Sequence, residues 1–350
     1  MLIEENVLLA PLTTLGVGGP ARYFAEAKTI VEVGAAVDQA RSRQLPMFVL
    51  GGGSNLVISD SGWPGLVLKI AIGGMDFRVE SGQAIFEAGA GEEWDRLVKA
   101  AVDRDCAGIE CMSGIPGSVG GTPVQNVGAY GQEVAETIRS VQALDLRDGQ
   151  LRELCNEACG FEYRTSIFNT TEKGRYIILR VTYALRPGGE PRIEYADLKK
   201  HFAGKSSPGL VEVREAVRQI RASKSMLITP GDEDARSAGS FFKNPVLSEG
   251  EFRALEERAA ERNLKIPSYP ALQAQRKVSA AWLVEQSGFR KGYTRGPVGI
   301  SRKHALAIVN RGGARAADVI ALKDEIQQRV MDTFGVELQP EPVFVGFDKE

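Results

Sequence analysis

Two glycine-rich turns in the first half of the chain limit its fold and its ligand more than any other feature. Glycine lets the backbone adopt positive φ and approach a ligand closely, because no Cβ is in the way. Successive N–H groups in such turns form concave sites that bind anions. Two such sites favour a long ligand with a diphosphate, such as a dinucleotide, over turns that only reverse the chain. The first turn consists of Gly51, Gly52, Gly53, Ser54 and Asn55, and the second contains Ser113, Gly114, Ile115, Pro116 and Gly117.

The pattern around these turns argues against the common nucleotide-binding loops. Neither turn continues into the Gly-Lys-Ser/Thr sequence of a P-loop. Neither matches the Gly-x-Gly-x-x-Gly pattern that opens a helix in the standard dinucleotide-binding fold. A third glycine-containing segment, residues 125–131, follows the second turn and strengthens the case for a ligand.

The composition and charge of the chain argue against a nucleic-acid-binding or membrane-spanning protein. Its 350 residues are enough for two or three domains, and its 43 Lys and Arg are nearly balanced by 45 Asp and Glu. The basic residues are scattered, and no apolar stretch approaches the roughly twenty residues that span a bilayer. The N-terminal residues lack the basic start and apolar core of a signal peptide. We therefore expect a cytoplasmic protein.

The histidines and cysteines do not indicate a metal site. Their spacing matches no standard zinc pattern. We expect free, buried thiols in a reducing compartment, histidines with structural roles, and acid chemistry that uses neither histidine nor metal. The residues concerned are His201, His304, Cys106, Cys111, Cys155 and Cys159.

Three further residues could carry chemistry, and each also has a purely structural interpretation. Arg164 lies among aromatic and apolar residues, where a guanidinium is either stacked and solvated or fixed as a planar clamp for a carboxylate or phosphate. Ser240 lies between a glycine and two phenylalanines, without the sequence pattern of a nucleophile. Its hydroxyl is either structural or a proton donor to a carbanion or enolate. Glu341, between two prolines, is either a surface residue or partly buried and suited to proton transfer.

Hydrophobic periodicity predicts a mixture of helices and strands. A strand–helix–strand unit opens the chain and runs into the first glycine turn. Ser248 and Glu251 form a capping box before a helix, and the last long helix is expected to end at Gly335. A linker is predicted at residues 205–210, where serine, proline and glycine cluster. The class is therefore α+β or α/β in several domains.

In their order along the chain, these segments resemble one family, the UDP-N-acetylenolpyruvoylglucosamine reductases (MurB) of peptidoglycan precursor synthesis. The resemblance runs from about Leu12 to Val345. Each segment is modest alone, but their common order is highly specific. The matching segments are residues 14–19, 50–56, 113–117, 125–131, 161–168, 239–245 and 338–341.

The resemblance implies an α+β, multi-domain fold. It has vanillyl-alcohol-oxidase-like (PCMH-type) FAD-binding domains and a C-terminal α/β substrate-binding domain. Residues 1–72 would form FAD-binding subdomain 1, joined by the C-terminal strand at about 341–350. Residues 73–207 would form FAD-binding subdomain 2, and residues 208–340 the substrate-binding domain.

The resemblance also implies the residues of the cofactor and catalytic sites. Arg164, Ser240 and Glu341 fall on the family's three catalytic positions. The glycine turns at residues 51–55 and 113–117 resemble its FAD-binding loops. The third segment adds four FAD-binding residues, Asn126, Gly128, Ala129 and Tyr130.

Three more residues resemble the family's substrate contacts. Tyr195 resembles the tyrosine of the loop that covers the UDP-sugar in the type I subgroup. Lys224 and Asn244 resemble residues that contact the UDP-sugar itself. The segment from Lys224 to Ser240 departs from the family pattern, because it is longer and more acidic than the expected short link.

The activity implied by the resemblance is an NADPH-dependent reduction in two half-reactions. NADPH reduces non-covalently bound FAD, and flavin N5 then passes hydride to the terminal vinyl carbon of UDP-N-acetylglucosamine enolpyruvate. Arg164 and Glu341 would stabilise the resulting enolate, and Ser240 would protonate it to give UDP-N-acetylmuramate. The implied partners are this substrate and NADPH, and we expect a monomer.

Two alternatives remain at this point. An alcohol oxidase of the same fold would use oxygen, and many such enzymes attach flavin covalently through histidine, yet no histidine precedes His201. A flavin-free UDP-sugar-binding protein would be a different class of molecule. Such a protein could be a regulator that has lost its catalytic residues. The presence of Arg164, Ser240 and Glu341 together argues against this alternative.

Overall fold

The computed structural model describes residues 1–204, 207–229, 231–271 and 274–347, which form two compact units. The first unit consists of Met1–Val7, Ala21–Gly53 and Pro64–Ser223. The second consists of Leu8–Pro20, Ser54–Trp63 and the described part of Lys224–Glu350. The predicted three-domain division stays a prediction. The first two residues of the predicted linker, 205 and 206, and the last three residues of the predicted C-terminal strand lie outside the described residues.

Strands and helices are mixed along the described chain. In chain order the strands are β1 (Ile3–Leu8), β2 (Pro20–Ala27), β3 (Met47–Leu50), β4 (Leu56–Ile58), β5 (Trp63–Ile70), β6 (Met75–Glu80), β7 (Gln83–Gly89), β8 (Cys106–Ala107), β9 (Gly128–Ala129), β10 (Gln132–Glu133), β11 (Ile138–Asp145), β12 (Leu151–Cys155), β13 (Tyr176–Pro187), β14 (Val246–Leu247), β15 (Ser268–Pro270), β16 (Arg276–Val278), β17 (Thr294–Arg295), β18 (Val298–Ile300), β19 (Ile308–Asn310) and β20 (Val343–Val345). The α-helices are α1 (Ile30–Ser42), α2 (Trp94–Val102), α3 (Ala196–His201), α4 (Leu210–Ser223), α5 (Glu249–Ala260), α6 (Ala280–Gln286) and α7 (Ala316–Phe334).

The first unit is built on two larger sheets. One has the strand order β1-β2-β5-β3, with β3 and β5 parallel. The other is antiparallel, with the order β12-β11-β13-β7-β6 and β8 paired to β13. Helix α2 buries one apolar face, and the ring centroids of Trp94 and Tyr183 lie 5.7 Å apart in this core. The N-terminus of α2 is thereby fixed beside the second glycine turn.

The second unit has three small sheets with the orders β14-β16-β15, β17-β18-β19 and β20-β4. Its core contains the apolar face of α7 and buried phenylalanines that include Phe241 and Phe289. The predicted capping box of Ser248 and Glu251 is confirmed at the start of α5. The predicted end of α7 is confirmed too, because Gly335 closes it with a φ of +68°. Within the described residues, no helix is both long and apolar enough to cross a bilayer.

All four cysteines are free, as predicted. Cys106, Cys111 and Cys159 are buried, but Cys155 is exposed, so the expectation of buried thiols is wrong for that residue. The reason is its place at the end of β12, which is an edge strand of its sheet. Burial raises the pKa of the Cys159 thiol to about 12, so this thiol stays protonated at neutral pH.

Candidate active site

The two glycine turns lie against each other in the first unit. A Cβ on Gly52 would come within 2.5 Å of the Cα of Gly117. A Cβ on Gly51 would come within 2.9 Å of the Ser118 hydroxyl oxygen. The backbone can approach this closely only because residues 51 and 52 carry no side chain. The structure therefore brings together the two turns that the sequence assigns to one ligand.

The second glycine loop, residues 112–118, wraps around the start of α2. The Trp94 indole N–H donates to the Met112 carbonyl at 3.1 Å. The Trp94 backbone N–H donates to the Gly117 carbonyl, also at 3.1 Å. Gly114 and Gly117 take φ values of +72° and +127°, a region that side chains disfavour. The loop is thus fixed at both ends by one buried tryptophan.

Ser118 is the residue at this site that the sequence analysis missed. Its hydroxyl is buried and makes no hydrogen bond within the part of the chain that the structure describes. Leaving a buried polar group unpaired costs about 1–3 kcal/mol, so a partner from outside the chain is indicated. An oxygen of a dinucleotide diphosphate is a suitable partner, and the residues present fit FAD. The sequence could have indicated Ser118, because the glycine-rich run continues past it to Gly120 and Gly121.

The first predicted turn is divided between the two units. Gly53, with a φ of +65°, ends the first-unit part, whereas Ser54 and Asn55 belong to the second unit. There the Asn55 side-chain amide donates to the backbone carbonyl of Glu341 at 3.1 Å. The Val343 N–H donates to the Asn55 carbonyl at 2.9 Å, beside the parallel pairing of β20 with β4. Asn55 therefore positions Glu341, and its predicted contact with FAD stays a prediction.

Asn126 shapes the third glycine-containing segment. It is buried with a φ of +46°, and its side-chain oxygen accepts a hydrogen bond from the Ala135 N–H at 3.0 Å. Its side-chain amide donates to the Glu133 carboxylate at 2.8 Å and to the Glu162 carbonyl at 2.9 Å. Ala129 pairs with Gln132 where β9 meets β10. These contacts fix the segment, and the predicted FAD contacts of its residues stay predictions.

Arg164 is fixed by this segment. Its guanidinium donates to the Gly128 carbonyl at 2.7 Å and to the Asn126 carbonyl at 3.4 Å, and it lies 3.9 Å from the Glu133 carboxylate. The guanidinium carbon is 5.3 Å from the centre of the Tyr163 ring, and 18% of the side chain is exposed. A Cβ on Gly128 would come within 3.1 Å of an Arg164 nitrogen. The guanidinium is thus held by two backbone carbonyls beside an aromatic ring, and its predicted role as a clamp for a carboxylate or phosphate stays a prediction.

Tyr195 is half exposed, at 47%, immediately before α3. Its ring meets the ring of Tyr130 edge to face, with the centroids 5.3 Å apart. Tyr130 takes a φ of +50° at the end of the third glycine-containing segment. The structure therefore joins a predicted substrate residue to a predicted cofactor residue within the first unit.

Ser240 and Glu341 are brought together within the second unit. The Glu341 N–H donates to the carbonyl of Phe241, the residue after Ser240, at 2.9 Å. On the other side, the Phe241 N–H donates to the Leu306 carbonyl at 2.8 Å. The serine segment thus lies between two segments that are both distant from it in sequence. Arg164 belongs to the first unit.

The surroundings of this serine are apolar. Phe241 and Phe242 are buried, with 0% and 2% of their surfaces exposed, and their ring centroids are 5.6 Å apart. Phe344 packs on Phe241 from the Glu341 segment at 6.4 Å. Ser240 and Glu341 themselves are partly exposed. The residues that follow Ser240 are thus buried in the core of the second unit, while Ser240 and Glu341 remain accessible.

The acidic segment before Ser240 is anchored within the second unit by hydrogen bonds that its carboxylates accept. The Asp234 carboxylate is buried and accepts hydrogen bonds from the Ser301 hydroxyl at 3.0 Å and the Arg302 N–H at 2.7 Å. Asp232 accepts from Ser225 at 2.7 Å and from Lys303 at 3.2 Å. Burial opposes ionisation of Asp232, but these donors lower its pKa overall. The extra acidic residues thus tie this segment to the turn at residues 301–304.

The two remaining predicted substrate residues lie at the edges of elements. Lys224 follows the last residue of α4 and begins the second unit. Asn244 lies before β14, and its side-chain oxygen accepts a hydrogen bond from the Ala280 N–H at the start of α6, at 2.9 Å. Their predicted contacts with the UDP-sugar stay predictions.

Comparisons with known proteins find matches over nearly the whole length of the chain. Residues 21–154 match the FAD binding domain family model, and residues 230–345 match the UDP-N-acetylenolpyruvoylglucosamine reductase C-terminal domain model. The chain is 44% identical over 350 residues to the UDP-N-acetylenolpyruvoylglucosamine reductase of Thermobifida fusca, covering 98% of each. It is 46% identical over 346 residues to the enzyme of that name from Streptomyces coelicolor, covering 97% of this chain and 89% of the other.

The structural comparison agrees with the sequence comparisons. The crystal structure of UDP-N-acetylenolpyruvylglucosamine reductase (MurB) from Thermus caldophilus matches with a TM-score of 0.66 and 28% identity, over 99% of both chains. The predicted α+β fold with FAD-binding domains and a C-terminal substrate-binding domain is confirmed by this match and by the two family models. The prediction of FAD as the cofactor is confirmed by the FAD binding domain match. The chain belongs to the UDP-N-acetylenolpyruvoylglucosamine reductase (MurB) family.

Proposed function

We propose that this protein reduces UDP-N-acetylglucosamine enolpyruvate to UDP-N-acetylmuramate for peptidoglycan synthesis, with NADPH as the reductant. It is an oxidoreductase, a UDP-N-acetylmuramate dehydrogenase. The observation that carries the proposal is the backbone hydrogen bond from Glu341 to Phe241, which brings Glu341 beside Ser240. The chain also has a glycine cradle in which the buried Ser118 hydroxyl has no hydrogen-bond partner among the described residues. The first feature suits proton transfer and the second suits a dinucleotide.

The cofactor would be held non-covalently by the two glycine turns. Gly51, Gly52 and Gly117 provide close backbone approach, and the Ser118 hydroxyl provides a hydrogen bond. FAD, when bound, supplies the hydride that it has taken from NADPH. The residues of the chain have the tasks of orienting the substrate, stabilising charge and delivering a proton.

Arg164 and Glu341 stabilise the negative charge that develops on the substrate carboxylate after hydride addition. Arg164 suits this task because its guanidinium is already oriented by the Asn126 and Gly128 carbonyls. A preorganised donor does not have to reorient as the charge develops, which is the main source of electrostatic catalysis. Glu341 would share the charge as a protonated hydrogen-bond donor.

Ser240 donates a proton to the α-carbon of the enolate. A serine hydroxyl is a very weak acid in water, so this role requires a strongly basic acceptor and little competing water. The buried rings of Phe241 and Phe242 support the second condition. No histidine is needed, in keeping with the structural role of His304, whose Nδ1 accepts a hydrogen bond from the Leu306 N–H at 3.1 Å.

Substrate binding would use Tyr195, Lys224 and Asn244. Tyr195 suits a covering role because it is half exposed beside Tyr130. Lys224 and Asn244 would contact the UDP-sugar. We further propose that the reaction takes place in the cytoplasm and that the protein acts as a monomer without nucleic-acid or membrane partners.

The test follows the visible spectrum of the purified protein without oxygen. NADPH is added first, followed by UDP-N-acetylglucosamine enolpyruvate. We expect a flavin spectrum that bleaches with NADPH and returns with the UDP-sugar. Return of the spectrum only with oxygen would indicate an oxidase, and a colourless protein that binds UDP-sugar would indicate a flavin-free binding protein; either result would overturn the proposal.

A further inference from the structure

Helix α4 carries a row of arginines that the proposed reaction does not use. Arg214, Arg218 and Arg221 lie four and three residues apart, which places them on neighbouring positions of one helix face. Arg214 and Arg221 are buried, with 8% and 7% of their surfaces exposed. Arginine is rarely buried unless it is paired, so this face has specific partners.

The partner of two of these arginines is one carboxylate at the start of α2. Arg214 donates from both terminal nitrogens to the two Asp95 oxygens, at 2.7 and 2.8 Å. Arg218 donates to the same carboxylate at 2.8 Å. Paired hydrogen bonds between a guanidinium and a carboxylate fix both the distance and the angle of the two groups. Asp95 therefore joins α2 to α4.

The same carboxylate also grips the second glycine loop. The Gly114 N–H donates to Asp95 at 2.6 Å, and Arg221 donates from Nε to the Gly114 carbonyl at 3.2 Å. Gly114 is thus held on its N–H and on its carbonyl, by residues from two different helices. Its φ of +72° is the backbone conformation that this double contact maintains.

Electrostatics keeps the carboxylate ionised. Burial alone would raise the pKa of Asp95, but the hydrogen bonds from Arg214 and Gly114 and the charge of Arg218 lower it overall. The carboxylate is therefore charged at neutral pH, and its contacts persist across the physiological range.

We propose that Asp95 and Arg214 are positioning residues for FAD, which hold the second glycine loop in its binding conformation. Helix α4 is then part of the cofactor site. It lies outside the segment 21–154 that matches the FAD binding domain model, although it belongs to the same compact unit. This inference rests on the proposed placement of FAD at the glycine turns.

The experiment measures FAD affinity of the apoprotein by quenching of flavin fluorescence. The test variants are Asp95→Asn, Arg214→Gln and the double variant. The control is Asp103→Asn, which breaks an exposed ion pair with Lys99 on the same helix α2. Thermal unfolding of each apoprotein shows whether it is folded at the temperature of the titration.

We expect each single variant to weaken FAD binding about 10-fold, because Asp95→Asn leaves Arg214 without its carboxylate and Arg214→Gln removes the paired contact that orients Asp95 towards Gly114. If the two substitutions acted independently, the loss of FAD affinity in the double variant would be the product of the two single losses. We expect a smaller loss, since the double variant replaces the ion pair with neutral amides of similar shape. Asp103→Asn should bind FAD as the unaltered protein does. If the ion pair were only structural, the single variants would unfold at a lower temperature, and the double variant would not regain FAD affinity relative to them.

Gly52→Ala separates failure of this inference from failure of the proposed cofactor site. If Gly52→Ala weakens FAD binding while Asp95→Asn and Arg214→Gln leave it unchanged, the positioning role is wrong and the site stands. If all three variants bind FAD normally, the glycine turns are not the cofactor site and both proposals fall. Should one single variant not fold, the other single variant and Arg218→Gln, whose side chain is 33% exposed, carry the same test. Normal FAD affinity in both of those variants would overturn the positioning role.

Discussion

The glycine turns of the first unit and the Ser240–Glu341 pair of the second are fixed in contrasting ways. The turns approach each other because side chains are missing, as at Gly52 and Gly117. The Ser240 segment is fixed by backbone hydrogen bonds to distant segments and is followed by two buried phenylalanines. The first arrangement depends on the absence of side chains, and the second depends on backbone pairing and on apolar packing. We have proposed that the first binds the cofactor and that the second delivers a proton. Binding and chemistry therefore place different demands on the sequence, and substitutions should separate them.

The largest effect is expected from Ser240→Ala. Loss of the proton donor should slow flavin reoxidation by the enolpyruvyl substrate about 10²–10⁴-fold, the usual contribution of a positioned acid. Reduction of FAD by NADPH should be unchanged, because it does not need this proton. Anaerobic stopped-flow absorbance measures both half-reactions in one preparation. An equal loss in both would contradict the role of Ser240 and remove the contrast between binding and chemistry.

Arg164→Lys should have the next largest effect. Lysine keeps the positive charge but lacks the planar guanidinium of arginine. It cannot donate to the Asn126 and Gly128 carbonyls and at the same time donate to a ligand. We expect flavin reoxidation to slow about 100-fold, as when one donor to a developing oxyanion is lost. Arg139→Lys is the matched control, because Arg139 makes a paired contact with Glu80 on the exposed surface. Equal rates in the two variants would show that the orientation of the guanidinium is unimportant.

Asp234→Ala tests the anchor of the Ser240 segment. Removing the acceptor of the Ser301 and Arg302 hydrogen bonds should loosen this segment and slow reoxidation about 10-fold, the effect of one or two lost hydrogen bonds. Asp234→Asn should retain most of the rate, since its amide oxygen can still accept both bonds. The control is Glu233→Gln, at an exposed pair with Arg302. If the asparagine variant is as slow as the alanine variant, charge rather than position is the important property.

Ser118→Ala should weaken FAD binding without destabilising the apoprotein. Its hydroxyl is buried without a partner among the described residues, so removing it should leave the apoprotein as stable as before or slightly more stable. FAD affinity should nevertheless fall about 5-fold, because one hydrogen bond to the cofactor is lost. Ser287→Ala is the control, since the Ser287 hydroxyl in the second unit is likewise buried and has no hydrogen-bond partner among the residues that the structure describes. Unchanged FAD affinity in Ser118→Ala would argue against a cofactor contact at this residue.

The smallest expected effect concerns acid stability of the first unit. Hydrogen bonds from Arg175 hold the pKa of the Asp145 carboxyl well below its usual range. A carboxyl with a lowered pKa stabilises the fold at neutral pH, and that stability is lost as pH falls below about 4, the pKa in the unfolded chain. Asp145→Asn should therefore be less stable at pH 7 and lose less stability on acidification. Urea unfolding between pH 7 and pH 3 measures this, with Asp148→Asn at an exposed ion pair as the control. A parallel pH dependence in Asp145→Asn and the unaltered protein would contradict it.

Local sequence determined the elements and most of the candidate residues. The capping box at Ser248, the helix end at Gly335 and the apolar face of α2 depend on neighbouring residues, so their signals are complete within a short segment. The glycine turns could be found for the same reason, since each needs special backbone conformations within a few residues. The order of these segments was enough to identify the family.

Only the tertiary structure decided which of these residues meet. The contact of Asp95 with Arg214 spans 119 positions, and neither residue carries a local signal that names its partner. The unpaired hydroxyl of Ser118, the anchor of Asp234 and the backbone contact from Glu341 to Phe241 depend in the same way on packing between distant segments. Burial and hydrogen-bond pairing are properties of the folded environment, and a residue type by itself does not specify them.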